Sequence, residues 1–347
     1  MAARRGDSHR LIRWLWTSRR IDARLVRAGL VPLAGLWRAA ASARNLAFDR
    51  GWIPVRDLSL PTVAVGNLTV GGSGKTPIAG WIAARWARQG RVPGILLRGY
   101  GHDEVLVHQR TVPDAVVVAD ADRVRGAELA AARGAEVLVL DDAFQRRDVW
   151  RDLNILLVAA ESARAVRWCL PAGPWREPAA GARRADCIIV TRKRADAATA
   201  AQVAREFGAM IDGPVGIVHL GVAQYRGMVT GRTVARSELA NRRVVAASAI
   251  ANPEAFIAQT KATGAQVQAA TWRDHHSFRD EDVAWLARAA RKADFVILTE
   301  KDAVKLRDRW PASIPEPLVA ELEVQWEDGQ AEFEARLDGL LRPPGAD

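Results

Sequence analysis

Residues 69–77 read TVGGSGKTP and combine the residue types of a phosphate-binding loop. They follow an apolar run, TVAVGN, and precede a segment of helical character. Glycines allow backbone N–H groups to converge on phosphate oxygens, a lysine supplies positive charge, and a hydroxyl at a helix N-terminus can bind Mg²⁺. Thr69 stands where the usual pattern, G-x-x-x-x-G-K-[ST], has its first glycine, and the alternative is an ordinary glycine turn. We predict a nucleotide site formed by Thr69, Gly71, Gly72, Ser73, Gly74, Lys75 and Thr76.

A pair of carboxylates follows a later apolar run. The segment EVLVLDDAFQ (136–145) ends its apolar part in Asp141 and Asp142. A carboxylate at the C-terminal end of a strand can reach the Mg²⁺ held by a phosphate-binding loop, as in the Walker B arrangement. Guanine-specific proteins carry Asn/Thr-Lys-x-Asp after a late strand, whereas TRKRAD (191–196) and TEKD (299–302) do not match that pattern. The two motifs together predict a site for ATP and Mg²⁺.

These motifs require a sheet that positions them, and the chain alternates short β-branched runs with helical stretches such as 77–89 and 122–133. Continuous apolar runs are typical of strands buried on both faces of a parallel sheet. The alternation of apolar runs and helical stretches is interrupted at 222–234 and resumes with RRVVAASAI at 242. We therefore predict an α/β protein with a P-loop NTPase-like, doubly wound parallel sheet and a second, smaller α/β domain. The predicted ranges are 55–221 for the nucleotide-binding domain, 222–240 for a linker and 241–347 for the C-terminal domain.

The first 54 residues have a different character, because arginines interrupt every apolar run. No stretch reaches the ~20 apolar residues that span a bilayer, and no apolar core with a small-residue cleavage site indicates a signal peptide. Arginine on one side of a helix and Trp or Leu on the other is typical of a helix in a membrane interface. The alternative is an amphipathic helix docked on the protein's own core. The segment is predicted to be helical and amphipathic under both interpretations.

Net charge and cysteine content limit the classes of partner and the cellular compartment that the protein can have. Fifty Lys and Arg face 40 Asp and Glu, giving a formal net charge of +10. Such a surface favours polyanions, which include nucleic acid, anionic lipid and phosphorylated substrates, but no known nucleic-acid-binding module is visible in the sequence. Two cysteines, Cys169 and Cys187, do not form a disulfide framework or a zinc pattern. We predict a protein of a reducing, cytoplasmic compartment.

A set of motifs in fixed order carries a family resemblance. The chain resembles tetraacyldisaccharide 4'-kinase, the lipid A 4'-kinase family of Gram-negative bacteria, over nearly its whole length. The loop T-x-G-G-[ST]-G-K-T is itself characteristic of that family, so the resemblance makes Thr69 a family trait. The motifs that carry the resemblance are GNLTVGGSGKTP (66–77), RGYG (98–101), DDAFQ (141–145), LPAGPWREP (170–178), ANPEAF (251–256), DHHSF (274–278) and TEKDAVKL (299–306).

The resemblance implies a function and a location. It implies that ATP, with Mg²⁺, phosphorylates the 4'-hydroxyl of a tetraacyl glucosamine disaccharide 1-phosphate in lipid A (lipopolysaccharide) biosynthesis. The enzyme would be a peripheral, monotopic protein at the cytoplasmic face of the bacterial inner membrane, which favours the membrane interpretation of the first 54 residues. The expected partners are the lipid substrate and an anionic membrane surface, with no nucleic acid and no obligate protein partner. The alternative is a membrane-associated P-loop ATPase with a regulatory or assembly role.

The resemblance also implies catalytic residues. The family's catalytic aspartate lies in a Gly-Asp-Glu-Pro segment, which aligns here with Asp103 and Glu104, although His102 and Val105 replace the flanking Gly and Pro. A histidine of the DHHSF motif pairs with that aspartate, and His275 is preferred over His276. The expected catalytic residues are Asp103, His275 and Lys75, and the expected metal ligands are Thr76, Asp142, Asp141 and Glu104.

Substrate contacts are expected from four further positions in the family motifs. The proline-bounded LPAGPWREP segment would hold Arg176 and Glu177 rigidly near the nucleotide or the sugar. The C-terminal domain is expected to close over the active site. The chain departs from the family pattern at Leu97, Ala143 and Arg146, which bears on acceptor binding more than on nucleotide binding. The expected substrate residues are Arg98, Gln145, Arg176 and Glu177.

Overall fold

The computed structural model describes residues 7–99, 102–163 and 166–341. Residues 1–6 of the predicted N-terminal segment, 100–101 of the RGYG motif and 342–347 of the predicted C-terminal domain lie outside the described residues. The chain divides into two compact units. The larger unit comprises 7–99, 108–163, 166–219 and 325–341, and the smaller unit comprises 102–107 and 220–324. The predicted domain and linker ranges, which are continuous along the chain, stay a prediction.

The larger unit is built on a parallel sheet. Its strands are β1 (Thr62–Asn67), β2 (Pro93–Leu97), β3 (Val116–Ala119), β4 (Val137–Asp141), β5 (Leu153–Ala159), β6 (Cys187–Arg192) and the first residues of β7 (Val215–Gly227). They lie in the order β7-β6-β5-β1-β4-β2-β3, and the registers of the paired strands are parallel. Every residue of β1, β2 and β4 is buried, as their continuous apolar sequences predict.

Helices connect these strands. They are α3 (Lys75–Arg88), α4 (His102–Thr111), α5 (Arg123–Ala132), α6 (Ala160–Ala163), α7 (Ala197–Gly208) and α11 (Gln330–Gly339). Helices α3 and α5 pack on β2, and α7 packs on β6. Helix α4 has its first residues in the smaller unit and begins to belong to the larger unit at His108. The alternation of parallel strands and helices confirms the predicted α/β fold class.

The N-terminal segment is helical, as predicted, and forms α1 (Asp7–Thr17) and α2 (Ile21–Asp49). The two helices contact each other. Arg27 of α2 is buried, and its guanidinium donates hydrogen bonds to the backbone oxygens of Leu15 (3.0 Å) and Ser18 (2.8 Å). This arginine therefore stabilises the turn between α1 and α2 by satisfying carbonyls at the end of α1. Among the described helices, none combines the length and the apolar content needed to cross a membrane.

The smaller unit also contains strands that pair mainly in parallel. It contains the rest of β7 with β8 (Thr233–Val234), β9 (Arg243–Ser248), β10 (Gln266–Thr271), β11 (Phe295–Thr299) and the first part of β12 (Leu318–Asp328). Strands β10, β9, β11 and β12 pair in parallel in that order, and β8 pairs antiparallel with β7. The helices are α8 (Pro253–Lys261), α9 (Asp280–Ala290) and α10 (Glu300–Leu306). Because β9 and β11 are parallel neighbours, the residues that follow them lie at the same edge of their sheet.

Candidate active site

The glycine-rich loop joins β1 to α3 in the larger unit, as predicted. Gly71 (φ 130°) and Gly74 (φ 88°) adopt left-handed conformations that suit glycine. Gly74 is the N-cap of α3, so Lys75 and Thr76 form the first helical positions, where backbone N–H groups point towards a bound anion. Ser73 and Thr76 are buried. Among the described residues, the buried Ser73 hydroxyl has no hydrogen-bond partner, so it is available to a ligand.

The position of Thr69 explains why a glycine is not needed there. Thr69 forms an isolated antiparallel bridge with Trp175. On either side of it, Arg176 donates its backbone N–H to Leu68 O and Val70 donates to Pro174 O, both at 2.8 Å. An extended, paired residue has an ordinary φ, and a β-branched threonine suits such a conformation. The start of the loop is therefore fixed by pairing with the LPAGPWREP segment.

Lys75 faces the end of β1 and the carboxylates that follow β4. Its ammonium lies 3.4 Å from Asn67 Oδ1 and 3.7 Å from Asp142 Oδ1. Asp142 has a left-handed backbone (φ 55°), which is uncommon for a residue with a side chain. Asp141 is buried, and its Oδ2 lies 3.1 Å from Nε2 of the fully buried His108. Parallel pairing of β1 with β4 thus brings the predicted loop and carboxylates to one edge of the sheet.

Arg176, Gln145 and Glu177 belong to one hydrogen-bonded network beside Asp142. Arg176 donates two hydrogen bonds to Asp142, Nη1 to Oδ1 at 2.9 Å and Nη2 to Oδ2 at 3.3 Å. Nη1 also lies 3.2 Å from Gln145 Oε1, and Gln145 Nε2 donates to Glu177 Oε1 at 3.0 Å. Glu177 is buried and pairs with Arg184 (2.8 Å). The structure therefore brings three of the four predicted substrate residues together, while Arg98 lies exposed after β2.

Two tryptophan side chains of the N-terminal helices donate hydrogen bonds to backbone oxygens of the LPAGPWREP segment. The Trp16 indole N–H donates to Pro171 O (3.0 Å), and the Trp37 indole N–H donates to Arg176 O (2.8 Å). Other apolar side chains of α2 remain exposed, among them Leu25, Leu33 and Leu36. The segment is therefore docked on its own unit through some residues and carries an uncovered apolar surface through others, so the two interpretations offered by the sequence are compatible.

Asp103 and His275 are neighbours in the smaller unit, although 172 positions separate them. Asp103 lies in the first turn of α4 and is buried, and its Oδ2 is 3.1 Å from His275 Nδ1. The ammonium of Lys305 lies 3.3 Å from the same oxygen. His275 has a left-handed φ of 55°. The carboxyl is therefore not a solvated loop residue but a buried group that contacts an imidazole and a lysine.

These contacts set the protonation states of the pair. Burial raises the pKa of the Asp103 carboxyl, but the hydrogen bond with His275 and the positive charge of Lys305 outweigh burial and hold this pKa well below its usual value. The hydrogen bond with Asp103 raises the pKa of the His275 imidazole, against the opposing effect of partial burial. Asp103 is therefore ionised at neutral pH and can accept a hydrogen bond from a hydroxyl.

The second histidine of the DHHSF motif has a different environment. His276 Nε2 lies 2.9 Å from Asp282 Oδ2, and its ring stacks on Trp272. Asp282 also accepts the backbone N–H of Arg279 at 2.8 Å, at the start of α9. His276 thus supports a helix start, and His275 is the histidine that reaches Asp103. The catalytic role of His275 itself stays a prediction.

The predicted metal ligands fall in both units. Thr76, Asp141 and Asp142 belong to the larger unit, and Glu104 belongs to the smaller unit, where Lys301 Nζ lies 2.6 Å from its Oε1. Within the described ranges, no group of three His, Cys, Asp or Glu side chains could hold a metal by itself. Mg²⁺ in nucleotide sites is usually held by one or two carboxylates, a hydroxyl, waters and phosphate oxygens. The buried Thr76 hydroxyl and the two aspartates fit that donor set.

Two contacts of the predicted carboxylates were missed from the sequence. His108, which contacts Asp141, lies five positions after Asp103 in GHDEVLVHQR, and Lys305 lies in TEKDAVKL. No local pattern distinguishes His108 from an ordinary helix residue. For Lys305 the signal was its presence in a family motif whose individual residues had no assigned role.

Comparisons with known proteins give consistent matches over most of the chain. A family model described as tetraacyldisaccharide-1-P 4'-kinase (LpxK) matches residues 26–104 and 101–342. A tetraacyldisaccharide 4'-kinase of Xanthomonas euvesicatoria is 34% identical over 84% of this chain and 87% of its own length. One from Anaeromyxobacter sp. strain K is 34% identical over 91% of each chain. The crystal structure of LpxK from Aquifex aeolicus in complex with ATP matches with a TM-score of 0.72 and 25% identity, covering 91% of this chain and 100% of that one.

Proposed function

Because this chain belongs to the tetraacyldisaccharide-1-P 4'-kinase family, we propose that it transfers the γ-phosphate of ATP to the 4'-hydroxyl of a tetraacyl glucosamine disaccharide 1-phosphate. It is a kinase of lipid A biosynthesis, and the regulatory ATPase alternative is not favoured. The observation that carries the residue-level proposal is the buried, ionised Asp103 beside His275 in a chain that also has a P-loop. A carboxylate held in the ionised state can accept the proton of an attacking hydroxyl.

The P-loop would bind the phosphates of ATP. Backbone N–H groups at Gly72–Thr76 would contact phosphate oxygens at the start of α3, and Lys75 would neutralise the transferring phosphate. The crystal structure of LpxK from Aquifex aeolicus is a complex with ATP, which supports this assignment here. Ser73, whose buried hydroxyl has no partner among the described residues, is a further donor for a phosphate oxygen.

Mg²⁺ would be held by Thr76 with Asp141 and Asp142. When bound, Mg²⁺ supplies positive charge that neutralises the β- and γ-phosphate oxygens. Lys75 and Arg176 both contact Asp142, so these two cations would hold its carboxylate in position. Glu104 forms an ion pair with Lys301, and only the family resemblance supports it as a ligand of Mg²⁺.

Asp103 would act as the general base. An ionised carboxylate would accept the proton of the attacking 4'-hydroxyl while that oxygen bonds to the γ-phosphorus of ATP and the bond from this phosphorus to the bridging oxygen breaks, which releases ADP. His275 would orient Asp103 through the Nδ1 contact and stabilise its charge. Arg98, Gln145, Arg176 and Glu177 would bind the acceptor. The predicted closure of the C-terminal domain over the active site stays a prediction.

The lipid substrate supports a membrane location. An acylated disaccharide stays in a bilayer, so its kinase must reach the surface, and we propose peripheral binding at the cytoplasmic face of the inner membrane through α1 and α2. Exposed Leu25, Leu33 and Leu36 would enter the acyl boundary while neighbouring arginines contact anionic headgroups. Trp16 and Trp37 are poor probes of this contact because both donate hydrogen bonds to the protein's own backbone.

The membrane proposal is tested with vesicles containing about one third anionic lipid. Replacing Leu25, Leu33 and Leu36 by Ser should release the protein from the vesicles, and raised salt should weaken binding of the wild type. The matched control replaces Leu129, which is exposed on α5, by Ser. If the triple variant binds as tightly as the control, the membrane surface lies elsewhere on the molecule.

The catalytic proposal is tested with purified protein, ATP, Mg²⁺ and the disaccharide 1-phosphate, using ³¹P NMR to ask whether a second phosphate appears at the 4' position. Asp103→Ala and His275→Ala should each lower kcat strongly and change the ATP affinity little. Since residues that act as a unit are non-additive, the double variant should be little slower than the slower single variant. A fully active His275→Ala enzyme beside an inactive His276→Ala enzyme would show that the wrong histidine has been assigned.

A further inference from the structure

Helix α10 places a lysine between two carboxylates beside the Asp103–His275 pair. Asp302 and Lys305 are three residues apart, a spacing that puts both on one face of a helix. The Lys305 ammonium lies 3.3 Å from Asp103 Oδ2 and 3.9 Å from Asp302 Oδ1. The nearer of the two carboxylates is Asp103, so the lysine faces the proposed base more closely than its own helix neighbour.

Asp302 is fixed in place by short hydrogen bonds. It is completely buried. Its Oδ2 accepts hydrogen bonds from the Thr299 hydroxyl (2.6 Å) and from the backbone N–H of Ala249 (3.0 Å). Thr299 is the last residue of β11, and Ala249 directly follows β9, the neighbouring parallel strand. The carboxylate of Asp302 therefore links the C-terminal ends of β11 and β9 through Oδ2, and its Oδ1 faces Lys305.

The same alanine also holds His275. The backbone N–H of His275 donates to Ala249 O at 3.2 Å. His275 adopts a left-handed backbone, which costs energy and persists only where surrounding contacts impose it. Ala249 thus connects Asp302 to the backbone of His275, while Lys305 connects Asp302 to Asp103. The contacts form a closed ring through His275, Asp103, Lys305, Asp302 and Ala249.

We propose that Asp302 and Lys305 are positioning residues that hold Asp103 and His275 in their reactive arrangement. The inference rests on the proposed function, in which Asp103 is the general base. Lys305 fixes the Asp103 carboxylate through Oδ2, the oxygen that His275 also contacts, and Asp302 fixes both Lys305 and the backbone that carries His275. In this proposal both residues act through Asp103 and His275. A displacement of about 1 Å in a reacting group can cost about 10²-fold in rate.

The experiment compares Lys305→Met, Lys305→Arg, Asp302→Asn and the double variant Asp302→Asn/Lys305→Met. Lys305→Met should lower kcat by about 10²-fold and leave the KM for ATP within about twofold, since ATP contacts the larger unit. Lys305→Arg should recover part of the loss because it restores the cation. The double variant removes the charges of both Asp302 and Lys305, so neither residue is left as an unpaired charge, and the protein should be more stable than either single variant. Its kcat should nevertheless remain as low as that of Lys305→Met.

The double variant separates positioning from a structural role. If Asp302 and Lys305 only stabilise α10, removing both charges should restore kcat together with stability, and that result would overturn the proposal. Lys292→Met and Asp308→Asn are matched controls, because both residues are exposed in the same unit, and each should retain wild-type kcat. A kcat within threefold of wild type in Lys305→Met or in Asp302→Asn would also overturn it.

A second readout does not depend on lipid kinase activity. The ¹H–¹³C resonance of the His275 ring should move in Lys305→Met and stay in place in Lys292→Met, because Lys305 acts on His275 through Asp103. An unmoved resonance in Lys305→Met would contradict the proposed coupling. If the wild type makes no 4'-phosphate, the proposed function fails, while the resonance still decides whether Lys305 positions His275.

Discussion

His108 and Asp141 form a buried contact behind the proposed metal site, and replacing His108 by Ala tests its importance. Both side chains are almost entirely buried, at 0% and 3% exposed, and Nε2 of His108 lies 3.1 Å from Oδ2 of Asp141. The substitution removes the contact without touching any residue proposed to bind ATP or the acceptor. It also removes a ring that packs near Gly80 of α3.

The expected effect has two parts. A buried carboxylate oxygen that loses its partner costs about 1–3 kcal/mol, and the cavity left by a buried ring adds a similar amount, so the free energy of unfolding should fall by about 3–5 kcal/mol. If Asp141 is a metal ligand, His108 orients it, and losing such an orienting contact typically weakens metal affinity by about 10–100-fold. The Mg²⁺ concentration for half-maximal ATP turnover should rise accordingly.

Urea unfolding measures the first part, and Mg²⁺ titration of turnover at saturating ATP measures the second. His219→Ala is the control in the same unit: His219 is only partly buried, and its Nδ1 lies 3.3 Å from Gln325 Oε1. The control should change stability by less than about 1 kcal/mol and leave the Mg²⁺ dependence unchanged. A His108→Ala protein with control-like stability and Mg²⁺ dependence would refute the reasoning about Asp141.

Three further predictions concern the P-loop, the catalytic pair and the sheet. Lys75→Ala should lower kcat by about 10²–10³-fold while circular dichroism and the melting temperature report an intact fold. The pKa of His275 is raised by Asp103, so their contact contributes stability below the unfolded pKa of about 6.5 and loses it as pH rises through the folded pKa. The melting temperature should therefore differ more between wild type and His275→Ala at pH 5.5 than at pH 8.5, and an equal difference would contradict the assignment. Gly66→Ala should destabilise the protein by about 1–3 kcal/mol or more, measured by urea unfolding, because the new Cβ would lie 2.5 Å from Phe144 N.

The sequence predicted the larger unit's strands closely because buried parallel strands are continuous apolar runs. The apolar run TVAVGN coincides with β1 at both ends. Strand β10 was not predicted, since its sequence, QVQAAT, alternates polar and apolar residues and is largely exposed. A strand that is buried on both faces must be apolar throughout, so its sequence identifies it. A partly exposed strand at the edge of a sheet can carry polar residues, and its formation depends on pairing with the neighbouring strand, which the local sequence does not show.

The environment of Asp103 could not be predicted from local pattern. The family resemblance named Asp103 and its histidine partner but indicated nothing about the burial of the carboxyl. Asp103 lies in the first turn of α4, and its burial depends on Lys305 and His275, which are far away in the chain. Long-range contacts of this kind leave no periodicity in the sequence. The same applies to His108, whose partner Asp141 lies 33 positions further on.

Thr69 shows how a departure from a general motif is explained only by a distant segment. The first glycine of the usual phosphate-binding pattern gives the loop freedom to turn after the strand. Here the chain at Leu68 and Val70 is paired on both sides with residues 174–176, so the turn begins later, at Gly71. The cost of restricting the loop is offset by these hydrogen bonds and by the buried Trp175, which stacks on Phe207. The LPAGPWREP segment therefore shapes the P-loop and also carries Arg176 and Glu177, so substitutions that loosen Trp175 should affect nucleotide and acceptor binding together.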